Sequence, residues 1–363
     1  MSEESRWQFE LEEYIRQGEP ERIEKSEAWQ TAIGLQAVDG LNTSAYLLDT
    51  AKEHIEGKIS IGEAQKRIQT YYEERTERLE MQDETKEADI VSARIAMLLG
   101  ERTFQFSPAE WLNIHRRLFE GVFDHAGQIR NYNITKKEWI LKGDTVIYAS
   151  CNSIKDTLDY DFQTEKQFSY EGLTLVESIK HLAKFACDIW QIHPFCEGNT
   201  RATAVFMIKY LKTFGLEVSN DVFAEHSWYF RNALVRANYN DLKNGIHATT
   251  KYLEMFFSNL LMGTKYELKN RYMHVDFVPD TVAQDSQCAI EEVSKGKNCP
   301  LNCPLDELEI LKMMKENPFI TQKEMAEKLG KSERTIKSKV ATLREKGYIQ
   351  RLNGKRNGKW NVI

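Results

Sequence analysis

A nine-residue run in the middle of the 363-residue chain, His193 to Arg201 in QIHPFCEGNTR, holds residue types that can do acid–base and phosphate chemistry together. His193 can take a proton near neutral pH from an incoming hydroxyl. Glu197, beside a phosphate, can hold Mg²⁺, which takes one or two carboxylates and completes its shell with substrate oxygens. Gly198, Asn199 and Thr200 open a helix, whose unpaired N–H groups and partial positive charge suit an anion. Arg201 adds a planar cation in the first turn. Singly, such residues are more often helix-end hydrogen-bonders or halves of surface ion pairs. Their convergence between two apolar segments fits phosphoryl or nucleotidyl transfer.

The elements that must position this run are legible on either side. Upstream, Val176, Ile179, Leu182, Phe185, Ile189 and Trp190 make a helical stripe that stops at Pro194. Downstream, ATAVFMIKYL is apolar nearly all round and ends at Gly215, as the central helix of a bundle would. Residues 1–75 read as helices broken at 39–44 and 56–60. Between 127 and 150, β-formers flank a turn at Lys142-Gly143-Asp144, which predicts a hairpin. Periodicity is lost over 264–304, where Asp, Pro, Ser, Gly and Cys collect as in a linker. The expected organisation is a helical region over 1–78, a core over 79–262, a linker over 263–304 and a small domain over 305–363.

That last stretch orders helix, helix, turn, helix and hairpin, a winged helix-turn-helix. A Thr321/Glu324 capping box opens its second helix and Gly330 ends it. Ser332 caps the third, with Ile336, Val340 and Leu343 as its inner stripe. YIQRL, NGKRNG and KWNVI read as two strands around a basic loop. The net charge is −6, but residues 321–363 hold twelve Lys/Arg against four Glu, a net +8 that leaves −14 on residues 1–320. Only the tail is built to meet a polyanion. Double-stranded DNA is the expected partner: Ser332, Glu333, Arg334, Thr335 and Lys337 face base edges, while Lys355, Arg356 and Lys359 reach the backbone. Pairing on two half-sites makes a homodimer plausible. A solvated charged face used for protein contacts is the alternative.

Six cysteines are too sparse for a disulfide framework, and CPLNCP favours free thiols in a linker over a zinc site. No apolar run is long enough to span a bilayer and the first residues are acidic, so a cytoplasmic protein without a membrane partner is expected.

The run HPFCEGNTR resembles the signature loop of the Fic (Fido) family, His-x-Phe-x-(Asp/Glu)-Gly-Asn-Gly-Arg-x-x-Arg. The order of flanking elements extends the resemblance over about 80–262. It implies a mainly α fold, a helical core with a β-hairpin flap, followed here by a small α+β winged-helix domain. The implied activity moves AMP from ATP, with Mg²⁺, onto a Ser, Thr or Tyr hydroxyl of a target protein. By this resemblance His193 is the base, Phe195 the anchor of the loop, Glu197 the Mg²⁺ ligand, and Gly198 and Asn199 the anion hole, with Thr200 beside them at the ATP. Arg201 clamps the β-phosphate and Asn238 lines the adenine pocket. Ile134, Thr135, Lys136, Lys137, Glu138, Trp139, Ile140 and Leu141 form the target-holding flap, and Arg130 supports the loop. Two departures, Thr200 for the second Gly and Ala204 for the second Arg, weaken the nucleotide grip and leave other phosphate-containing substrates open.

Residues 29–68 resemble the helical antitoxin-type segment that blocks Fic sites with Ser/Thr-x-x-x-Glu-Gly/Asn. Asp39-Gly40 stands in place of Glu-Gly, and Leu35 in place of Ser/Thr. An aspartate reaches one methylene less far, and with Ala204 in place of its arginine partner the usual inhibitory salt bridge is not expected to form. Autoinhibition is therefore expected to be weak or altered. The leading reading is a protein AMP transferase tied to DNA or transcription. The alternative is a DNA-binding regulator that senses a nucleotide without turnover, and removal of AMP is a minor third.

Overall fold

The computed structural model describes residues 20–74, 83–216, 218, 221–277, 305–345, 348–352 and 359–362. The described chain is mainly helical and divides into two compact units. One holds the described residues up to Gln167 together with Ala183–Phe277; the other holds Phe168–Leu182 and the described residues after Phe277.

The first helices follow the turn signals of the sequence. α1 (Pro20–Gly34) runs into a 3₁₀ turn, Leu35–Asp39, stopped by Gly40 in the left-handed region at φ 73°. Ser44 caps α2 (Ala45–Ile55) by accepting the Leu47 N–H, and α3 (Ile61–Glu74) follows the turn at 56–60. α4 (Asp83–Gly100) and α5 (Pro108–Phe119) come next, the latter capped by Ser107 with Pro108 in its first turn. α6 (Ile154–Gln167), α7 (Leu175–Ile192), α8 (Asn199–Thr213), α9 (Asp221–Ala237) and α10 (Lys251–Met262) complete the series before the tail.

α8 is the central helix that its sequence predicts. Every residue from Asn199 to Leu211 is buried, and the helix ends in a turn with Gly215 at φ 69°. Around its start Trp111 meets Phe195 edge-on at 5.7 Å between ring centroids, with Phe206 and Phe162 packed behind. Each such buried aromatic contributes roughly 1.5–3 kcal/mol over its exposed state. α1 packs along α4 and α9. Its last residue touches α9 so closely that a Cβ on Gly34 would lie 2.3 Å from Ala224 Cα, so a glycine is needed there.

Two expectations are revised. The segment 127–150 turns back at 139–144 through Lys142 (φ 57°) and Gly143 (φ 85°), but its arms are extended without a strand ladder. The Arg130 guanidinium lies between them, donating to Tyr132 O (2.7 Å) and Ala149 O (2.5 Å). The returning arm bonds Gln191 instead, through Ala149 N–H to Gln191 O and Gln191 Nε2 to Ile147 O. Residues 264–277, read as the start of a linker, pack onto the first unit. Met273 is buried, Val275 N–H donates to Ile140 O at 3.0 Å, and Asn259 both donates to and accepts from the Tyr266 backbone. Side-chain-to-backbone bonding of this kind leaves no periodic signal. The rest of the expected linker, with Cys288, Cys299 and Cys303, lies outside the described residues.

The tail holds α11 (Leu305–Glu316), α12 (Gln322–Leu329), α13 (Glu333–Glu345), β1 (Ile349–Leu352) and β2 (Lys359–Val362). The strands pair antiparallel, Ile349 opposite Val362 and Leu352 opposite Lys359. The Thr321/Glu324 capping box closes, and Ser332 Oγ accepts the Thr335 N–H at 3.1 Å. Ile336, Val340 and Leu343 join Ile310, Met314 and Trp360 in one core, with Trp360 Nε1 donating to Ile320 O. Among the described residues no helix is long and apolar enough to cross a membrane.

Candidate active site

The loop between α7 and α8 begins with a strained residue. Pro194 cannot extend α7, and His193 before it takes φ 49°, the left-handed region that non-glycine residues enter at a cost of roughly 1–3 kcal/mol. The His193 side chain is 3% exposed and packs on Tyr148 at 4.3 Å between centroids. Its Nδ1 lies 3.3 Å from Trp190 O. A carbonyl only accepts, so Nδ1 carries the proton and Nε2 keeps its lone pair. That Nε2 is buried and has no partner. Burial first, then the charge of Lys136, holds the imidazole pKa well below its ordinary value, so the ring is neutral at pH 7. A strained backbone and an unpaired buried nitrogen on one residue are costs that packing does not explain.

The rest of the loop is held by side chains reaching its backbone. Arg130 donates from Nε to His193 O (2.7 Å) and from its amide to Pro194 O (2.8 Å). His115 Nδ1 accepts the Gly127 N–H, which leaves its Nε2 protonated to donate to Glu197 O at 2.9 Å. The same ring stacks on Phe195 at 3.6 Å, and Phe195 is fully buried. Asn199 closes the loop on itself: Oδ1 accepts the Phe195 N–H and Nδ2 donates to Phe195 O. Gly198 sits at φ 76° as the cap of α8, where a Cβ would stand 2.4 Å from Phe119. Thr200 Oγ1 accepts Trp190 Nε1 at 3.0 Å, so its hydroxyl faces Trp190 in the interior.

Glu197 is the one acid of the loop, and its side chain is 57% exposed, with Oε2 3.0 Å from Lys136 Nζ. Among the described residues no group of three ligating side chains gathers anywhere. One half-exposed carboxylate fits a cation such as Mg²⁺ that takes most of its ligands from substrate and water, and does not fit a protein-caged metal.

Residues 105–211, which span α5 to most of α8, match the Fic/DOC family, and residues 307–350 match the winged helix-turn-helix DNA-binding family. The chain carries a Fic/DOC domain. Relatives include the "Probable protein adenylyltransferase Fic" of Escherichia coli (strain K12), 26% identical over 150 residues that make up 41% of this chain and 66% of that one. The protein of the same name from Salmonella typhimurium is 29% identical over 117 residues, 32% of this chain and 54% of that one. The chain thus spans about two thirds and about half of these relatives' lengths. A crystal structure of a Fic family protein from Desulfovibrio desulfuricans G20 aligns with a TM-score of 0.42 at 13% identity, covering 93% of this chain and 87% of that one. The N-terminal Fic domain of a Bartonella effector protein aligns at 0.40 and 20% identity, covering 50% and 82%.

In the Fic/DOC domain Arg201 does not face the loop's opening as expected. It is 2% exposed, with NH2 2.6 Å from Glu87 Oε1, NH1 3.0 Å from Gln36 Oε1 and its guanidinium 4.7 Å from the Phe119 centroid. Its Nε lies 2.7 Å from Asp39 Oδ2, close enough for an ion pair although the angle is not that of a hydrogen bond. Asp39 therefore forms a salt bridge with a different arginine from the one at 204 that the resemblance implied. The 3₁₀ turn carries the shorter Asp39 to Arg201 in the first turn of α8, so no arginine is needed at the buried Ala204. Gly40 serves as the left-handed stop of that turn.

The flap residues divide. Glu138, Ile140 and Leu141 are buried, so they anchor the turn rather than meet a target: Glu138 takes both terminal nitrogens of Arg231, at 2.7 and 3.1 Å. Ile134 and Lys136 are half-buried, and Thr135, Lys137 and Trp139 are exposed, with Trp139 edge-on to His274. Tyr132 and Ile147, one on each arm of the segment, are 53% and 83% exposed and were not among the expected residues. Asn238 spends its amide on the carbonyls of Cys187 and Leu234 at the end of α9. His115 and Glu87 were also missed. Each lies in an ordinary amphipathic or acidic helical stretch with no local mark of its role.

In the winged helix-turn-helix domain Ser332, Arg334 and Lys337 are exposed at the start of α13, and Thr335 is half-buried within the Ser332 cap. Lys359 is exposed on β2, while Lys355 and Arg356 lie outside the described residues.

Proposed function

We propose that the protein is an adenylyltransferase that moves AMP from ATP to a hydroxyl side chain of a target protein. The observation that carries this reading is His193: a neutral imidazole whose Nδ1 is tied to Trp190 O and whose Nε2 is left without a partner, on the same loop as the Gly198 cap of α8. In the proposed step the target oxygen bonds to the α-phosphorus and the bond from that phosphorus to the oxygen bridging the β-phosphate breaks. Pyrophosphate leaves, and the hydroxyl proton passes to His193 Nε2. The amides of Gly198, Asn199 and Thr200 would bind phosphate oxygens. Mg²⁺, when bound, would be held by Glu197 and would supply charge neutralisation at the phosphates. Asn238 would border the base, and Thr135, Lys137 and Trp139 would meet the target segment.

The winged helix-turn-helix domain supports a link to double-stranded DNA in the cytoplasm, with two copies pairing on adjacent half-sites. The enclosure of Arg201 favours a second reading, a DNA-binding regulator that binds nucleotide without turnover. Incubation with α-labelled ATP separates the two. Label held covalently on this protein or on an added extract, and lost in His193→Ala, is the expected result; nucleotide bound but never transferred would leave only the regulator.

A further inference from the structure

Three cations act on His193: Lys136, Arg130 and Arg231. Two of them are committed. Arg130 gives its donors to the carbonyls of His193, Tyr132, Ala149 and Ile192. Arg231 is bidentate on the buried carboxylate of Glu138. Arg201, the cation of the loop itself, is enclosed by Asp39, Glu87 and Gln36. Lys136 differs from all of these. Its ammonium lies 3.0 Å from Glu197, whose side chain is 57% exposed, so one side of the pair is open to water. Exposed pairs of this sort hold weakly. A lysine ammonium on a four-carbon stem can exchange one anion for another by rotamer change alone. Its backbone is fixed meanwhile, the Lys136 N–H donating to Thr145 Oγ1.

We propose that Lys136 is the phosphate-binding cation of this site. In the free protein it neutralises Glu197, and when a polyphosphate enters it turns from that carboxylate to a phosphate oxygen. The geometry sets the starting point of this exchange, since the ammonium lies 3.0 Å from Glu197, on the same loop that carries His193 and the Gly198 cap of α8. The exchange also removes a conflict. Glu197 unpaired would repel an incoming polyphosphate, whereas Glu197 paired until the moment of entry does not. The inference rests on the adenylyltransferase reading and adds to it a residue of the flap as part of the nucleotide site.

The test is calorimetric titration of the full-length chain with ATP, in EDTA and in Mg²⁺. It compares wild type with Lys136→Met, which keeps the aliphatic stem, Lys136→Arg, which keeps the charge, and Lys155→Met, a charge removed from an exposed position of α6. The expected result is an ATP Kd weakened about tenfold or more in Lys136→Met, with and without Mg²⁺, and held within about threefold in Lys136→Arg. Lys155→Met should match wild type. Equal affinity of Lys136→Met and wild type, or tighter binding by the variant, would overturn the assignment while leaving the adenylyltransferase reading intact. No ATP binding by wild type in either buffer would overturn both. Superimposable circular dichroism and melting curves for the variants establish that the comparison is between folded proteins.

Discussion

Removing the Asp39 carboxylate should release Arg201 and tighten nucleotide binding. Arg201 is 2% exposed and Asp39 33%, so their pair falls between the surface case, worth about 0–1 kcal/mol, and the buried case, where loss of one partner costs about 3–5 kcal/mol. Glu87 and Gln36 remain on the guanidinium after Asp39→Ala, so no buried charge is stranded. The expected cost is therefore that of one charge-assisted contact at the low end, about 1–2 kcal/mol. That shifts the ratio of released to enclosed Arg201 by a factor of about 5 to 30. ATP affinity measured by calorimetry should rise by about tenfold, and hydrogen exchange should quicken over residues 35–44. Glu87→Ala should act in the same direction, and the double variant should be non-additive because both acids share one arginine. If Asp39→Ala speeds exchange but leaves ATP affinity unchanged, Arg201 is a structural residue and the switch reasoning fails.

Gly198→Ala should destabilise the Fic/DOC domain by about 3 kcal/mol. The left-handed backbone costs roughly 1–2 kcal/mol for a residue with a Cβ, and Phe119 must move to clear a contact of 2.4 Å. Urea unfolding followed by tryptophan fluorescence checks this, and an unchanged midpoint would contradict it. Burial lowers the His115 pKa to about 4, against 6.5 for an unperturbed histidine. With the folded value depressed, the unfolded chain binds the proton first, so the stabilisation present above about pH 6.5 is lost as pH falls toward 4. The expected loss from this residue between pH 7 and pH 5 is about 2 kcal/mol. His115→Gln should flatten that part of the stability profile, and an equally steep profile in the variant would count against it. For the tail, the log–log slope of duplex DNA binding against salt should be clearly negative, about −0.9 per neutralised phosphate. Lys359→Ala, which removes an expected backbone contact, should reduce its magnitude by about 1. A wild-type slope near zero would remove the polyanion claim.

Local signals in the sequence reached as far as local interactions do. The Thr321/Glu324 box, the Ser332 cap and the Ile336/Val340/Leu343 stripe depend on residues within one or two helical turns, and all three stand in the structure. The all-round apolarity of α8 likewise announced its central place. What could not be read were bonds between distant segments. Nothing in LNIHRRLF tells that the His115 ring joins Gly127 to Glu197, and nothing in DETKEAD singles out Glu87 from its acidic neighbours. The Asp39–Arg201 contact went unforeseen for the same reason. The resemblance pointed only to an arginine at 204, and the approach of a 3₁₀ turn 165 residues from Arg201 has no local mark. The arms of the flap lost their ladder to one guanidinium, a competition that β-propensity does not encode.

The bonds around the loop separate into two layers with different consequences. One is a frame of neutral or fully committed donors, Arg130, His115 and Asn199, all bonded to loop backbone and all buried. Its bonds are shielded from salt and water, so it fixes the left-handed turns at His193 and Gly198 whether or not a ligand is present. The other is a layer of exchangeable ion pairs, Lys136 with Glu197 and Arg201 with Asp39, in which the two cations and Glu197 would serve a bound nucleotide under the proposed function. A frame that moved with the charges would have to repay the strain at His193 on each cycle. Keeping strain and charge on separate residues lets the ion pairs rearrange, at about 0–1 kcal/mol for the exposed Lys136 pair and about 1–2 kcal/mol for the Arg201 pair, while the position of Nε2 stays fixed. It follows that substitutions in the frame should lower stability and nucleotide binding together, and those in the ion-pair layer should change binding with little effect on stability. A frame variant such as Arg130→Gln that spared stability while abolishing binding would break this division.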